Sequence, residues 1–226
     1  MIVFARALGQ DPEVIARLRL LAAVLSAVLL ILTAFAAWAI APFSRDPAKW
    51  PDVVEDLVRA PFSDRIVIGD SRVSFAREPG GVLFVGYGGA TSRQLERMAK
   101  LVCALASGQV SLALGVNDTK PLELDLDKSR AALDRIVAAC ARERLYLARI
   151  WPSEPGVEPG GDAYHAYAIA DLNSHFAKLA DAHGARLLPV PALPEPFTYD
   201  GVHFTPRVSR LYAARLAFPD RIAPVD

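Results

Sequence analysis

The stretch RIVIGDSRVSF, Arg65 to Phe75, joins a short apolar run directly to the tripeptide Gly69-Asp70-Ser71. A short apolar run bounded by a turn signal is typical of a buried strand in a parallel sheet. Polar residues that follow such a strand lie at its carboxyl end, where α/β proteins gather their sites. Ser71 is therefore either a nucleophile or a turn residue that caps the next helix.

Apolar runs of strand length alternate along the chain with stretches of helical period, which is the pattern of βα units around a mostly parallel sheet. The predicted strands are Arg65–Ile68, Val82–Val85, Val110–Leu114, Leu145–Ile150 and Arg186–Val190. The predicted helices are Ser92–Ser107, Lys128–Arg144, Tyr164–His183 and Pro206–Leu216. Thr91 and Gln94 have the spacing of a capping box, and Gly184 is a helix stop. The sequence therefore predicts an α/β fold, a three-layer αβα domain of flavodoxin-like type.

Leu20 to Ala41 is an apolar run of 22 residues without a charge. As a helix it would be about 33 Å long, enough to cross a hydrocarbon core of about 30 Å. We therefore predict a transmembrane helix with Trp38 at the membrane interface. The alternative is a cleaved signal peptide, because residues 39–41 resemble a cleavage site, but the run exceeds the usual apolar region of about 7–15 residues.

Four segments follow from this prediction. Residues 1–19 are a short cytoplasmic tail, residues 20–41 the transmembrane anchor, residues 42–62 a juxtamembrane linker with a short helix around Val53 to Arg59, and residues 63–226 the α/β domain. An excess of arginine before the apolar run favours a cytoplasmic N-terminus under the positive-inside rule. The protein is then a single-pass protein of a bacterial-type plasma membrane, with its α/β domain in the periplasm or outside the cell.

Charge and residue content argue against several classes of function. Lys+Arg and Asp+Glu balance at 25 each, so nucleic acid is not an expected partner. Cys103 and Cys140 lack metal-site spacing and lie on apolar helix faces, so buried reduced thiols are expected before a disulfide. His175 and His183 do not share a helical face, and no metal or cofactor is predicted. The stretch GYGGAT, residues 86–91, has threonine where a dinucleotide fingerprint needs its third glycine.

Four polar clusters follow predicted strands or precede the last helix: Gly69-Asp70-Ser71, Gly86-Tyr87-Gly88-Gly89, Gly115-Val116-Asn117-Asp118 and Asp200-Gly201-Val202-His203. Each alone is explained by helix capping or by a permissive turn. In this order they resemble the motif blocks of the SGNH, or GDSL-type, serine hydrolases, which are G-D-S, a lone Gly, G-x-N-D and D-x-x-H. The resemblance covers about Arg65 to Pro206 and implies that family's fold and its hydrolysis of esters.

The resemblance also implies a role for each matched residue. Ser71 would be the nucleophile, His203 the general base and acid, and Asp200 the residue that orients His203. The oxyanion hole would combine the backbone N–H groups of Ser71 and Gly89 with the side-chain amide of Asn117. These residue types suit the chemistry, because a serine hydroxyl needs a base to take its proton and a carboxylate to fix the imidazole tautomer.

Two of these assignments have alternatives within the sequence. A second D-x-x-H occupies residues 162–165, but His203 is preferred because it follows the last strand. Gly86 and Gly88 lie in the same turn as Gly89, which is preferred because its distance from the next helix matches the family's G-x-T pattern. The short interval between the serine and this glycine predicts an open cleft.

Arg72 departs from the family, which commonly has a hydrophobic residue after the serine. One possibility is a structural salt bridge to Asp70 or Glu78. The other is a contact with an anionic group on the substrate, which makes Arg72 a candidate substrate-binding residue. The loop WPSEPGVEPGGD, residues 151–162, has the composition of a flexible segment that lines the cleft.

The anchor and the resemblance together predict a membrane-anchored, extracytoplasmic serine esterase. Its expected substrate is an O-acyl ester, above all an O-acetyl ester of a cell-envelope carbohydrate, although a lipid or small ester stays open. One alternative is an O-acyltransferase that uses the same triad on an envelope polysaccharide. A second is a catalytically silent binding or scaffold module. The sequence indicates no protein partner.

Overall fold

A single sheet of five parallel strands forms the centre of the molecule in the computed structural model, which describes residues 12–40, 50–77 and 79–221. The strands are β1 (Arg65–Gly69), β2 (Leu83–Gly86), β3 (Gln109–Ala113), β4 (Leu145–Ala148) and β5 (Arg186–Leu188). Their order is β2-β1-β3-β4-β5, and all neighbouring pairs are parallel. This is the flavodoxin-like order, so the predicted α/β fold is confirmed.

Helices cover both faces of the sheet, which gives the three layers. They are α1 (Pro12–Ile40), α2 (Trp50–Arg59), α3 (Ser71–Ser74), α4 (Ser92–Leu105), α5 (Leu126–Cys140), α6 (Ala166–His183) and α7 (Pro206–Ala217). Successive side chains of a strand point to opposite faces. Ile66 and Ile68 accordingly pack with α2, α4, α5 and α6, whereas Val67 packs with α3 and α7.

The predicted capping box and the predicted helix stop are both present in the structure. Thr91 accepts a hydrogen bond from the backbone N–H of Gln94, and the Gln94 side chain accepts one from the N–H of Thr91, which completes the capping box of α4. Gly184 ends α6 in the left-handed conformation, with φ 62°. The predicted helix Lys128–Arg144 is shifted toward its N-terminus, because the side chain of Asp125 caps it at the Lys128 N–H.

The helix α2, which precedes the predicted domain boundary at residue 63, packs against the core of the α/β domain. Val53 in α2 and Ala60 just after it are fully buried, at 0% exposure, and Leu57 packs against the same core. The juxtamembrane helix α2 therefore belongs to one of the two helical layers, together with α4, α5 and α6. The sequence prediction missed this because the apolar face of a ten-residue helix does not reveal what it packs against.

The N-terminal helix α1 is long and apolar enough to cross a membrane. Its candidate span is Glu13–Phe35, with mean hydropathy 2.4 and no part of it buried against the rest of the protein. These properties fit a membrane span or a signal sequence. Beyond this span the Trp38 ring lies under the guanidinium of Arg97 in α4, at 4.3 Å from ring centroid to the guanidinium carbon. Ala41, the predicted end of the anchor, lies outside the described residues.

Cys103 and Cys140 form a disulfide, contrary to the expectation of two reduced thiols. The bond joins the C-terminal parts of α4 and α5 and has a Cα–Cα distance of 5.0 Å. The apolar helix faces correctly indicated that both residues are buried, but not that they are neighbours. Disulfides form and persist in oxidising environments such as the periplasm and the cell exterior.

Candidate active site

Ser71 follows the carboxyl end of strand β1, where the chain turns into α3. The turn needs Gly69, because a Cβ there would stand 2.3 Å from both the carbonyl oxygen of Ala113 and Cγ2 of Val73. Asp70 caps α3 by accepting a hydrogen bond from the Arg72 N–H at 3.0 Å. Burial raises the pKa of Asp70 to about 6. Asp70 is thus the capping residue, and Ser71 is left free for another role.

Three predicted residues form a continuous chain of hydrogen bonds. The Ser71 Oγ lies 3.0 Å from Nε2 of His203, and Nδ1 of the same ring lies 2.6 Å from Oδ2 of Asp200. These are the contacts that let a histidine take a proton from a serine while a carboxylate fixes the ring. The alternative histidine, His165, instead stacks on Tyr167, with ring centroids 5.3 Å apart.

Asp200 is held in its charged form by donors around it. Its Oδ1 accepts the backbone N–H groups of Val202 at 3.0 Å and His203 at 2.7 Å. Burial alone would raise its pKa, but the hydrogen bonds from the His203 ring and the two N–H groups outweigh burial and lower the pKa of Asp200. The carboxylate is therefore negative at neutral pH and suited to stabilise an imidazolium.

Two aromatic rings flank the His203 imidazole. Phe75 meets it edge-on at 4.8 Å between centroids, and Tyr199 stacks on it at 5.9 Å. Both rings are well exposed, Phe75 at 61% and Tyr199 at 60%. Neither residue is among the predicted site residues, although their positions in the sequence are a usable signal. Phe75 is one helical turn after Ser71, and Tyr199 directly precedes Asp200.

The predicted oxyanion donors lie in the turns that follow β2 and β3. Gly89 is exposed, has φ 74°, and has open space where a Cβ would stand. Asn117 is buried, and its Nδ2 donates to the carbonyl oxygen of Ala90 at 3.0 Å. This contact fixes the orientation of the amide and joins the two turns. Because an amide nitrogen carries two hydrogens, Asn117 keeps a second donor for a ligand.

The turn that carries Asn117 is also tied to α4. The neighbouring Asp118 is buried and accepts two hydrogen bonds from Ser92, from the backbone N–H at 2.8 Å and from Oγ at 2.6 Å. Burial raises the pKa of Asp118 despite these donors. The aspartate of the G-x-N-D block therefore holds the asparagine in place against the N-terminus of α4.

Tyr87, in the same turn as Gly89, is tied to the juxtamembrane helix. Its hydroxyl donates to Oδ2 of Asp56 at 2.7 Å. Burial raises the pKa of Asp56 to about 7, partly offset by that hydrogen bond and by Arg59. The helix α2 thus supports the turn that carries the predicted oxyanion glycine.

Arg72 is buried, at 3% exposure. Its guanidinium donates to three backbone carbonyls: Nε to Val202 at 2.9 Å, Nη1 to Trp151 at 2.5 Å and Nη2 to Pro152 at 2.8 Å. It also lies over the ring of Phe204 at 4.5 Å. The described hydrogen bonds of the guanidinium therefore go to carbonyl oxygens, and the charge of Asp70 acts on it from nearby. Glu78, the other predicted partner, lies outside the described residues.

The loop of residues 151–162 is packed against the histidine loop and is not the flexible segment that its composition indicated. Glu154 is buried, and its Oε2 accepts hydrogen bonds from the N–H of Phe197 at 3.0 Å and from the N–H and Oγ1 of Thr198 at 2.7 and 2.6 Å. The close approach requires Gly201, where a Cβ would stand 2.0 Å from the Gly161 nitrogen. Glu154 was missed because its partners lie more than forty residues away.

Within residues 12–40, 50–77 and 79–221, no group of three or more His, Cys, Asp and Glu side chains could hold a metal ion. His175 instead pairs with Asp134, with Nε2 2.7 Å from Oδ1, across α5 and α6.

Three solved bacterial structures have a similar fold. A lipase/acylhydrolase from Enterococcus faecalis is 18% identical, with TM-score 0.57 over 72% of this chain and 99% of that one. A GDSL-like lipase from Bacteroides thetaiotaomicron VPI-5482 is 20% identical, with TM-score 0.52 over 67% and 84%. A carbohydrate acetylesterase from Sinorhizobium meliloti is 14% identical, with TM-score 0.51 over 67% and 97%. No curated protein matches the chain significantly.

The family comparison is more decisive, because it rests on sequence over most of the chain. Residues 45–211 match the model of the GDSL-like Lipase/Acylhydrolase family, and the matched region contains all four polar clusters and the helix α2. The chain therefore belongs to the GDSL-like lipase/acylhydrolase family, a family of ester-hydrolysing enzymes.

Proposed function

We propose that the protein is a serine esterase that cleaves an O-acyl ester through an acyl-enzyme on Ser71, with His203 and Asp200 completing the triad. The observation that carries this proposal is the hydrogen-bond chain from Ser71 through His203 to Asp200. A capping or turn serine has no need of a histidine that is itself bonded to a charged carboxylate.

The geometry supports a reaction in two stages, formation of the acyl-enzyme and its hydrolysis. His203 Nε2 accepts the Ser71 proton as Oγ attacks the ester carbonyl, and Asp200 stabilises the imidazolium that forms. The oxyanion is stabilised by the N–H groups of Ser71 and Gly89 and by Nδ2 of Asn117. The imidazolium returns the proton to the leaving alcohol, and water then attacks the acyl-enzyme with His203 as base. The products are a carboxylic acid and the free alcohol.

Two features support an extracytoplasmic, membrane-anchored location. The exposed apolar helix α1 has the length of a membrane span. The disulfide between Cys103 and Cys140 would not persist in a reducing cytosol. Insertion with the N-terminus in the cytoplasm puts the domain and its disulfide on the oxidising side. A cysteine introduced at the exposed position Leu122, labelled with a membrane-impermeant maleimide on intact cells, tests this orientation, and labelling of Leu122→Cys only after lysis would contradict it.

We assign the substrate to O-acetylated carbohydrates of the cell envelope. The exposed rings of Phe75 and Tyr199 beside the histidine offer flat apolar surfaces of the kind on which sugar rings stack. One protein of similar fold is a carbohydrate acetylesterase. The assay compares acetate release from acetylated polysaccharide with hydrolysis of nitrophenyl esters of increasing chain length. A preference for long acyl chains over acetylated polysaccharide would contradict this assignment.

An acyltransferase uses the same acyl-enzyme and differs in what resolves it. Adding an unacetylated polysaccharide acceptor to the acetyl-donor reaction separates the two activities. Acetate release that is unchanged by the acceptor supports hydrolysis, whereas acetyl groups that appear on the acceptor show transfer.

A fluorophosphonate probe tests the triad itself, because it labels only an activated serine. We expect rapid labelling of the full chain, no labelling of Ser71→Ala, and labelling slowed by about 10³-fold in His203→Ala. His165→Ala is the matched control and should label normally. Absence of labelling in well-folded wild-type protein would indicate a catalytically silent module. Loss of labelling in His165→Ala but not in His203→Ala would show that His165 is the general base.

A further inference from the structure

A cleft lies where α1 meets the domain, apart from the candidate active site. Its volume is about 460 Å³, and it is lined by Trp38 of α1 and by Arg93, Glu96, Arg97, Lys100 and Leu101 of α4. The three basic residues are four and three positions apart, so they share one face of the helix. One wall of the cleft is therefore the row of basic side chains on α4, and the Trp38 ring of α1 forms another.

Arg97 provides the strongest unbalanced charge in the cleft. Its guanidinium lies over the Trp38 ring at 4.3 Å, and Nη1 donates to the Trp38 carbonyl oxygen. Among the described residues it has no carboxylate within ion-pair distance. An aromatic ring and a carbonyl fix the position of a guanidinium without neutralising it.

The other basic side chains of the cleft are only partly neutralised. Arg93 pairs with Glu123 at 2.9 Å, and Lys100 pairs with Glu96 at 3.3 Å. Glu96 is also held by Arg135 through two hydrogen bonds of 2.8 Å. The lining of the cleft thus holds three cations, Arg93, Arg97 and Lys100, and one carboxylate, Glu96. The cleft therefore has an excess of positive charge and suits an anion.

The height of the cleft along α1 indicates which anion would be within its reach. Trp38 is three residues beyond Phe35, the end of the candidate span, which is about 4.5 Å of helix. The headgroup layer on each side of a bilayer is about 5–8 Å thick. When α1 spans a membrane, the cleft therefore lies at the level of the lipid phosphates, where tryptophan is also favoured.

We infer that this cleft binds the headgroup of an anionic phospholipid, whose phosphate contacts Arg97 and Lys100. The inference rests on the membrane anchor of the proposed function but not on its chemistry. Guanidinium groups suit phosphate because their N–H donors match its oxygens in pairs. The lipid would hold α4 at a fixed height, and α4 begins beside the turn of Asn117 and Asp118.

The test measures lipid affinity of the full chain in detergent by native mass spectrometry. The probes are dioleoylphosphatidylglycerol and dioleoylphosphatidylcholine, which differ in headgroup charge. We expect the wild type to bind the anionic lipid more tightly, and Arg97→Gln/Lys100→Gln to bind it about thirtyfold more weakly, since each basic group near an anionic lipid surface contributes about fivefold. Arg207→Gln/Arg210→Gln removes the same charge from exposed positions on α7 and should bind within twofold of wild type.

Two results would overturn the inference. One is equal affinity of the wild type for both lipids, and the other is equal weakening by the two double variants, which would indicate only a general charge effect. If the double variant does not fold, Arg97→Gln is compared with Arg210→Gln, with about fivefold expected. Alkaline carbonate extraction of membranes separates the proposals: release of the protein refutes the anchor, whereas retention without lipid preference refutes only the lipid site.

Discussion

Arg72 links the segment that carries Ser71 to the loop that carries His203. It follows the nucleophile in sequence, and its guanidinium bonds to carbonyls on both loops that border His203. Three carbonyl acceptors and an aromatic ring satisfy this buried cation, and the charge of Asp70 acts on it from nearby. We therefore propose that Arg72 positions the triad, which would account for an arginine at a site where the family commonly has an apolar side chain.

Arg72→Met should lower kcat by about 10- to 100-fold with little change in KM, because a shift of about 1 Å between nucleophile and base costs roughly that much. The loss should be equal for neutral and for uronate- or phosphate-bearing esters. Fluorophosphonate labelling, measured well below the Tm of each variant, should slow in parallel. Arg72→Lys, which keeps the charge but not the fork of donors, should recover only part of the rate.

A loss confined to anionic esters would contradict this assignment and restore the substrate-binding role. A lowered Tm with normal labelling would show that Arg72 stabilises the fold without positioning the triad.

The sequence indicated the candidate site better than it indicated what holds the site together. Ser71, Asn117 and His203 each follow a strand or precede a helix, so local signals and the parallel topology suffice to bring them to one edge of the sheet. Arg72 bonds to a residue 130 positions away, and Glu154 to one 43 positions away. No local pattern carries such pairings, because they depend on which loops the finished fold brings together.

The juxtamembrane helix α2 is an element whose stability should depend on pH. The pKa of Asp56 is about 7 in the folded protein and 3.8 when unperturbed, because burial disfavours its charge. A raised folded pKa means that the stabilisation is complete below about pH 4 and is lost as pH rises through 7. Above pH 7 the folded protein must bury a charged carboxylate.

Asp56→Asn should therefore raise the Tm of the detergent-solubilised protein by roughly 5 °C at pH 8, with the difference shrinking toward pH 4. An amide oxygen still accepts the Tyr87 hydroxyl. Glu55→Gln is the matched control, since it removes the same charge from an exposed position of the same helix. Equal effects of the two variants, or an Asp56→Asn effect independent of pH, would contradict the burial argument.

The disulfide between α4 and α5 closes a loop with a sequence separation of 37. Cross-linking a loop of that size stabilises a protein by about 3–4 kcal/mol in the chain-entropy account. Cys103→Ala/Cys140→Ala should therefore unfold about 10 °C lower than the oxidised wild type. Reductant should lower the Tm of the wild type and leave that of the variant unchanged. A reductant-insensitive Tm in the wild type would show that the bond does not form.

The position of the disulfide could not be deduced from sequence in the way that the strands could. The apolar faces of α4 and α5 follow from their periodicity, and both cysteines belong to those faces. Whether two buried cysteines touch depends on how the helices are arranged side by side. The same reason explains why the sequence predicts a linker where α2 lies, since the contacts of Val53 form only in the assembled core.

At the scale of the whole molecule, we expect α1 to be dispensable for ester hydrolysis and α2 to be needed for the stability of the domain. This helix contributes no residue to the candidate active site, whereas α2 contributes Val53 to the core and Asp56 to the Tyr87 contact. A shortened protein that begins at Arg45 should hydrolyse a small water-soluble ester with kcat/KM within about twofold of the full chain. One that begins at Ser63 should lose about 3–5 kcal/mol of stability, from the burial of Val53 and Leu57.

Thermal unfolding and ester hydrolysis of the two shortened proteins check this division. Equal stability of both would show that the domain begins at residue 63 after all. A large loss of activity on removal of α1 alone would show that the helix shapes the active site.

The contact of Trp38 with Arg97 has a consequence for how such an enzyme meets its substrate. With α1 in a bilayer, the contact keeps the domain close to the membrane surface and restricts its motion relative to the membrane. Encounter then becomes a search in two dimensions, and its rate follows the number of molecules per unit area of membrane. Substrates fixed near that surface are within reach, whereas the same ester on a distant polymer strand is not.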